Sequence, residues 1–256
     1  MTIIKAMAIA CAMYSKIPMP KVDWNEKNMR YALCFFPLVG FLEGAVFFAV
    51  FSFLGYLNAP ELMKAAVLFA VPILITGGIH MDGFLDTMDA LSSYQTKERK
   101  LEILKDSHTG AFAIIGCAVY TVLYLGGLSG LVDGRSCLLV CTGFVISRSL
   151  SGLSLVLFKG ARKNGLAYTF SSSAHKKITR TVLAAVLIVF ACLAVSLDGA
   201  AGTVMVTGAA AVFAYYRYMS YKEFGGITGD LAGFFLQVCE LVMLYGVVIA
   251  EGLNSL

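Results

Sequence analysis

Aspartates 82, 86 and 89, inside the stretch GGIHMDGFLDTMDALSS at 77–93, are the densest acidic feature of the chain. On a helix starting near Met81, their i, i+4, i+7 spacing confines them to an arc of about 60° on one face. At 1.5 Å per residue they form a carboxylate stripe about 10 Å long, with Ser93 one turn further on. Three like charges this close repel one another, and partial burial sharpens the repulsion. A shared hard cation, or protonation, relieves it. Magnesium suits the donors, because it takes one or two carboxylates and completes its shell with water and substrate phosphates. Zinc suits them less, since the nearby nitrogen ligand, His80, lies about 160° round from Asp82 on a continuous helix. A break at Gly77-Gly78 would let His80 approach the site; without it His80 is a hydrogen-bonding residue at a helix end. The bland alternative is a solvated helix end, which accounts for one or two acids better than for three on one stripe.

Other polar stretches offer partners for such a site. In ERKLEILKDSHTGAFA (98–113), Asp106 or Ser107 can cap the helix that follows; otherwise the segment offers a phosphate-binding helix N-terminus or a further metal ligand. In KEFGGITGDLAGFFLQVCE (222–240), the turn containing Gly225, Gly226, Thr228 and Gly229 precedes Asp230, and glycines let a backbone approach a phosphate closely. Arg148, in VISRSLSG, lies inside an apolar run, where a mid-membrane arginine costs about 2.5 to 3.5 kcal/mol. It needs an anionic partner in the protein or in a ligand, and is expected to line the site. Glu43 and Glu240 raise the same question, with Glu240 about 15 Å beyond Asp230 along its helix. Lys159, Arg162 and Lys163 form a basic cluster that either marks the cytoplasmic side or grips a nucleotide phosphate. Carboxylates for magnesium, a buried arginine and glycine-rich helix starts together suit transfer of a phosphorus-linked group.

The elements that must carry these residues are membrane helices. The chain has 256 residues, 59% hydrophobic and 14% charged, against about 45–50% and 25% in soluble domains. Apolar runs of spanning length occur near 31–57, 61–80, 110–131, 136–158, 178–197, 201–219 and 229–250. The expected fold is therefore all-α: a polytopic helical membrane bundle of about seven spans, one domain over residues 1–256. No period repeats, and no two similar halves suggest a transporter built of inverted repeats. Ion-coupled transport would also put charges near the midplane, whereas these acids cluster at one end of a span. A purely structural subunit would leave the aspartate stripe unexplained. A net charge of +4 suits contact with anionic lipid, and no basic patch interleaved with aromatics points to nucleic acid. The seven cysteines include no C-x-x-C pair and read as reduced packing residues. The first twenty residues resemble a signal peptide only in part, and an amphipathic or partly inserted helix is expected.

Basic residues alternate between connections. They crowd the segments before the first span, after the second (Lys97, Arg99, Lys100, Lys105), after the fourth (Lys159 to Arg180) and after the sixth (Lys222). The remaining connections hold little beyond Lys64 and Arg135. The positive-inside rule then places the N-terminus in the cytoplasm and the C-terminus outside, and the second span delivers the aspartates to the cytoplasmic face.

GGIHMDGFLDTMDALSS resembles the G-G-x-H-x-D-G-x-x-D-x-x-D-G motif of the cobalamin synthases, the adenosylcobinamide-GDP ribazoletransferases. The likeness extends to YSKIPMP (14–20), FFPLVG (35–40), EILKDSHTGAFA (102–113), SRS (147–149) and GGITGDLAG (225–233) followed by Glu240. It implies an enzyme of the cytoplasmic (inner) membrane that joins adenosylcobinamide-GDP to α-ribazole or its 5′-phosphate and releases GMP, with Mg²⁺ required. The ribazole 3′-hydroxyl would attack the phosphorus on the cobinamide side. On this resemblance Asp82, Asp86 and Asp89 would hold Mg²⁺ against the diphosphate, and Arg148 would offset phosphate charge. Asp106, Asp230 or His80 would add ligation or orient the hydroxyl, Gly226, Thr228 and Gly229 would help bind the Mg²⁺-held phosphates, and Glu240 would serve the Mg²⁺ cofactor as a metal ligand or base. Partners beyond the substrates would be membrane lipid and either a second copy or other late enzymes of cobalamin assembly. Two positions depart from the pattern. Ala90 replaces a glycine, and Gln237 stands where an acid is expected, which makes Glu240 the better candidate there. The D-G-x-x-D pattern is also similar to that of the CDP-alcohol phosphotransferases. Their motif continues with Ala-Arg where this chain has Asp86-Thr87, which argues against membership while leaving a common mechanism open.

Overall fold

The computed structural model describes residues 2–106 and 108–254. Twelve α-helices follow one another among them: α1 Thr2–Tyr14, α2 Glu26–Met29, α3 Phe36–Tyr56, α4 Glu61–Thr76, α5 Ile79–Ser92, α6 Lys97–Ile103, α7 Ala111–Ser129, α8 Gly134–Leu157, α9 Leu166–Ser173, α10 Lys176–Leu197, α11 Gly199–Phe224 and α12 Gly229–Asn254. A 3₁₀ turn, Ala32–Phe35, leads into α3. The described residues contain no named strand, only an isolated bridge between Gly160 and Ile227.

Six helical segments are long and apolar enough to cross a membrane: the one ending in α3, and α7, α8, α10, α11 and α12. The pair α4 and α5 makes a seventh if taken as one broken span, with a bend of 96° between them. The bend sits at Gly77 and Gly78, whose φ values of 68° and 79° lie in the left-handed region. A side chain is strained there and glycine is not. The Lys16 side chain lies where a Cβ of Gly77 would go, and the Lys16 amide donates to the Ile75 carbonyl at 2.7 Å. The N-terminal stretch thus closes over the break. Helix α5 begins at Ile79, two residues before the expected start, so His80 belongs to its first turn.

Helix α8 is the axis of the bundle, with 89% of its apolar window buried against 17% for α10 at the periphery. Its serines and glycines let neighbours approach closely, the usual solution where lipid tails provide no hydrophobic drive between helices. A Cβ on Gly44 of α3 would lie 3.1 Å from the Cys141 Cβ on α8, and Phe47 meets Phe144 edge-on at 5.4 Å. The outward residues of the peripheral helices, such as Phe53, Ile114, Val122, Ile188 and Val189, are exposed and apolar, as a lipid-facing surface requires.

The two ends of the bundle differ in charge. At one end Asp133 caps α8 through the Arg135 and Ser136 amides, and Asp198 caps α11 through the Ala201 amide. Arg135 reaches Asp198 at 3.9 Å, and the charge of Glu251 on α12 lies within reach of both acids. The Asp133 carboxyl is held below the usual carboxylate range, first by its bond from the Ser136 backbone. At the other end Lys100 of α6 meets Glu223 of α11 at 2.5 Å, Arg162 donates to the Leu101 carbonyl, and the His175 amide donates to the Arg30 carbonyl at 3.0 Å. The basic connections therefore gather at a single end, the end to which α4 leads.

Candidate active site

The site forms where α5 crosses α12. A Cβ on Gly83 would lie 2.7 Å from the Asp230 carbonyl oxygen, and one on Gly233 would lie 2.9 Å from the His80 carbonyl oxygen. The two backbones therefore touch through paired glycines, a contact that any side chain would wedge open. Phe84 and Phe234 stack beside the crossing with centroids 5.7 Å apart. This contact brings Asp230, in the first turn of α12, to the aspartates of α5. Asp82 is exposed and Asp86 half-buried. The charges acting on Asp86 are those of Asp82, Asp230 and Asp89, in that order. Thr228 fixes the start of α12: its hydroxyl accepts from the Leu231 amide at 3.2 Å and donates to Asp230 Oδ2 at 3.3 Å. The free amides of a helix N-terminus add a partial positive charge beside Asp230.

Asp89 is differently employed. Its Oδ2 accepts from the Gly110 amide at 2.5 Å and its Oδ1 from the Ala113 amide at 2.8 Å. It caps α7 from a neighbouring helix, and Gly110 is bare because a Cβ would lie 2.6 Å from the Asp89 carboxylate. This bears on two expectations. Asp89, expected as a third metal ligand, has both oxygens engaged in capping α7, which leaves Asp82 and Asp86 as the carboxylates of α5 that accept no hydrogen bond from α7. Asp106 does not cap α7 either: its carboxylate accepts from the His108 amide at 3.0 Å and pairs with His108 Nδ1 at 2.7 Å, at the exposed surface. That backbone bond holds the Asp106 carboxyl below its ordinary range. Ser107, the other expected cap, lies outside the described residues.

Further expected site residues also fall elsewhere. His80 is 5% exposed, its Nε2 has no hydrogen-bond partner among the described residues, and its ring packs 6.4 Å from that of Tyr14 and 6.1 Å from that of Phe36. It faces α1 and α3. Arg148 is 1% exposed and its terminal nitrogens are paired inside the protein, with Glu43 at 2.7 Å, Glu240 at 2.5 Å and the Phe144 carbonyl at 3.1 Å, while its Nε is buried with no partner among the described residues. The expectation that it offsets phosphate charge gives way to a sealed triad of two carboxylates and one guanidinium, each 0–5% exposed. Glu240, expected in a metal or base role, belongs to the same triad and accepts from the Ser147 hydroxyl at 2.9 Å. The glycine-rich turn likewise approaches protein and not an open phosphate pocket: a Cβ on Gly226 would lie 2.5 Å from the Lys159 carbonyl oxygen. Gly229 stands exposed at the start of α12.

Among the described residues, no three of His, Cys, Asp and Glu are arranged as a ready metal cage. Asp82, Asp86 and Asp230 remain available, an all-oxygen set that fits a hard cation needing one or two carboxylates and filling its other positions with water and phosphate. The residue that the sequence reading underrated is Arg162. From the loop between α8 and α9 its charge acts on Asp230, and partial burial holds the guanidinium below its ordinary range. The signal was present in the Lys159, Arg162, Lys163 cluster, but spacing alone did not distinguish one inward arginine from two exposed lysines.

Apolar helices packed around a buried axis, with a carboxylate cluster where two of them cross, define a polytopic helical membrane protein with a polar site at its basic end. Residues 6–248 match the model of cobalamin-5-phosphate synthase, and the chain belongs to that family. A protein of Lachnoclostridium phytofermentans named adenosylcobinamide-GDP ribazoletransferase is 49% identical over 250 residues, covering 97% of this chain and 95% of its own. Relatives of the same name from Clostridium botulinum (strain Alaska E43) and Geobacillus sp. (strain WCH70) are 32% and 31% identical, covering 94% and 88% of this chain and 96% and 87% of theirs. No solved structure matches.

Proposed function

We propose that the chain is a Mg²⁺-dependent adenosylcobinamide-GDP ribazoletransferase of the cytoplasmic membrane, with its basic end and active site facing the cytoplasm. The observation that carries the reading is the meeting of Asp82 and Asp86 with Asp230 at the glycine crossing of α5 and α12, in a chain matched along nearly its whole length by relatives of that name. Asp82, Asp86 and Asp230 would hold the ion, and when bound it would neutralise charge on the diphosphate. The N-terminus of α12 offers amides to the same anion. In the reaction the α-ribazole hydroxyl oxygen forms a bond to the phosphorus on the cobinamide side. The P–O bond to the guanosine phosphate breaks, GMP leaves, and the hydroxyl proton is released. Catalysis of this kind is mostly positioning and charge stabilisation, which a rigid helix crossing supplies.

The test is incubation of purified protein with adenosylcobinamide-GDP, α-ribazole and Mg²⁺ in detergent and again in liposomes. GMP and a cobalamin product are expected, with turnover abolished by EDTA and restored by excess Mg²⁺. No GMP in either medium overturns the reading, and turnover untouched by EDTA overturns the metal assignment.

A further inference from the structure

The loop between α8 and α9 is fastened to the turn that precedes Asp230. The Ile227 amide donates to the Lys159 carbonyl and the Ala161 amide to the Ile227 carbonyl, both at 2.9 Å, while the Lys159 amide donates to the Tyr221 hydroxyl at 2.8 Å. Bare Gly226 lets the two backbones approach this closely: a Cβ there would lie 2.7 Å from the Ala161 amide nitrogen. Arg162 follows Ala161 directly, and one of its terminal nitrogens donates to the Leu101 carbonyl of α6. Its Nε is buried and has no partner among the described residues. Lys159 and Lys163 on either side are exposed. The Arg162 charge acts on Asp230, yet the two form no ion pair.

A guanidinium presents a planar fork of five donors suited to phosphate oxygens. Here the fork is anchored at the Leu101 carbonyl, its buried Nε has no partner among the described residues, and its charge acts on the Asp230 carboxylate without an ion pair between them. A buried N–H without a partner is costly and calls for an acceptor. Carboxylates with a bound cation on one side and a guanidinium on the other make a two-sided clamp for a diphosphate. Resting on the reading above, we infer that Arg162 is the phosphate-binding arginine of this site, gripping the diphosphate of the GDP-activated substrate against Asp82, Asp86 and Asp230.

The experiment measures GDP binding in the presence of Mg²⁺ by equilibrium titration, separately from turnover, for the wild type, Arg162→Gln, Arg162→Lys and Arg99→Gln. Loss of a charged hydrogen-bond donor weakens binding by about tenfold or more. Arg162→Gln is expected to raise the Kd for GDP and the KM for adenosylcobinamide-GDP by that factor, leaving the KM for α-ribazole unchanged. Arg162→Lys, which keeps the charge without the fork, is expected to fall between. Arg99→Gln alters an exposed arginine of α6 paired with Glu102 and is expected to match the wild type. GDP affinity unchanged in both Arg162 variants overturns the inference. So does a parallel rise in both KM values with a lowered unfolding temperature, which would make Arg162 only a tether for α6. Because GDP binding is read without turnover, an inactive wild type would overturn the transferase reading alone.

Discussion

Asp86 and Asp89 are chemically identical and lie one helical turn apart, yet their partners give them different work. Asp86 is half-buried among other carboxylates, while both oxygens of Asp89 accept backbone amides of α7. Replacing Asp86 by asparagine removes a charge that the proposed cation would need, so turnover is expected to vanish with the unfolding temperature kept. Replacing Asp89 by alanine removes a cap, worth about 0.5–2 kcal/mol; stability is expected to fall by that amount with the Mg²⁺ concentration for half-maximal rate unchanged. Wild-type turnover in Asp86→Asn, or a raised Mg²⁺ requirement in Asp89→Ala, would contradict these assignments. The identities and one-faced spacing of the three aspartates were legible in the sequence, because helical periodicity is local. The partner of Asp89 was not, because it lies across a tertiary contact from Gly110. Arg148 teaches the same lesson: its burial and its need for an anion could be read, whereas Glu43 and Glu240 become its partners only when α3 and α12 pack on α8.

At the scale of elements, six of the seven apolar runs became single spanning helices within about five residues of their expected bounds, since length and hydropathy decide that outcome without tertiary help, while the run at 61–80 ends as a helix at Thr76 and breaks before α5. The Gly77-Gly78 break was also legible, as glycine pairs punctuate helices. What sequence could not supply was the direction taken after it. Helix α5 turns by 96° and lies against α12, where Gly83 meets Asp230 and Gly233 meets His80. In the linear pattern those glycines look like ordinary small residues of membrane helices, and their work depends on which helix they face. Gly83→Ala is expected to force the backbones apart and displace Asp230 from Asp82 and Asp86, since overpacking a tight contact costs about 1–3 kcal/mol. The expected result is a large loss in kcat with a lowered unfolding temperature. Gly55→Ala, near the end of α3 with open space around its Cβ, should lower neither. Normal kcat in Gly83→Ala would show that the crossing does not set the site.

For the whole molecule, the distribution of charge turns fold into orientation. The connections rich in lysine and arginine meet at the end that holds the carboxylate cluster, and the acids Asp133, Asp198 and Glu251 mark the other. On the proposed function the positive-inside rule would put the basic end in the cytoplasm, where a nucleotide-linked substrate would reach Asp82 without crossing lipid. Trypsin cleaves after the same residues that set this orientation, so the two are testable together. Lys105 and Lys163 are exposed in connections at the basic end, whereas Arg135, more than half exposed, belongs to the opposite end. Trypsin added to inverted membrane vesicles is expected to cut after Lys105 and Lys163 and to spare Arg135. Added to intact spheroplasts, it is expected to leave both lysine sites whole. Cleavage after Lys163 from outside would reverse the assigned orientation and place the site across the membrane from its nucleotide. The same digestion also tests the α4–α5 pair. If α4 alone carries the chain across, Lys105 must share a side with Lys21, which precedes α3 and is exposed; cleavage of these two on opposite sides would mean that the bent pair returns to the face it started from.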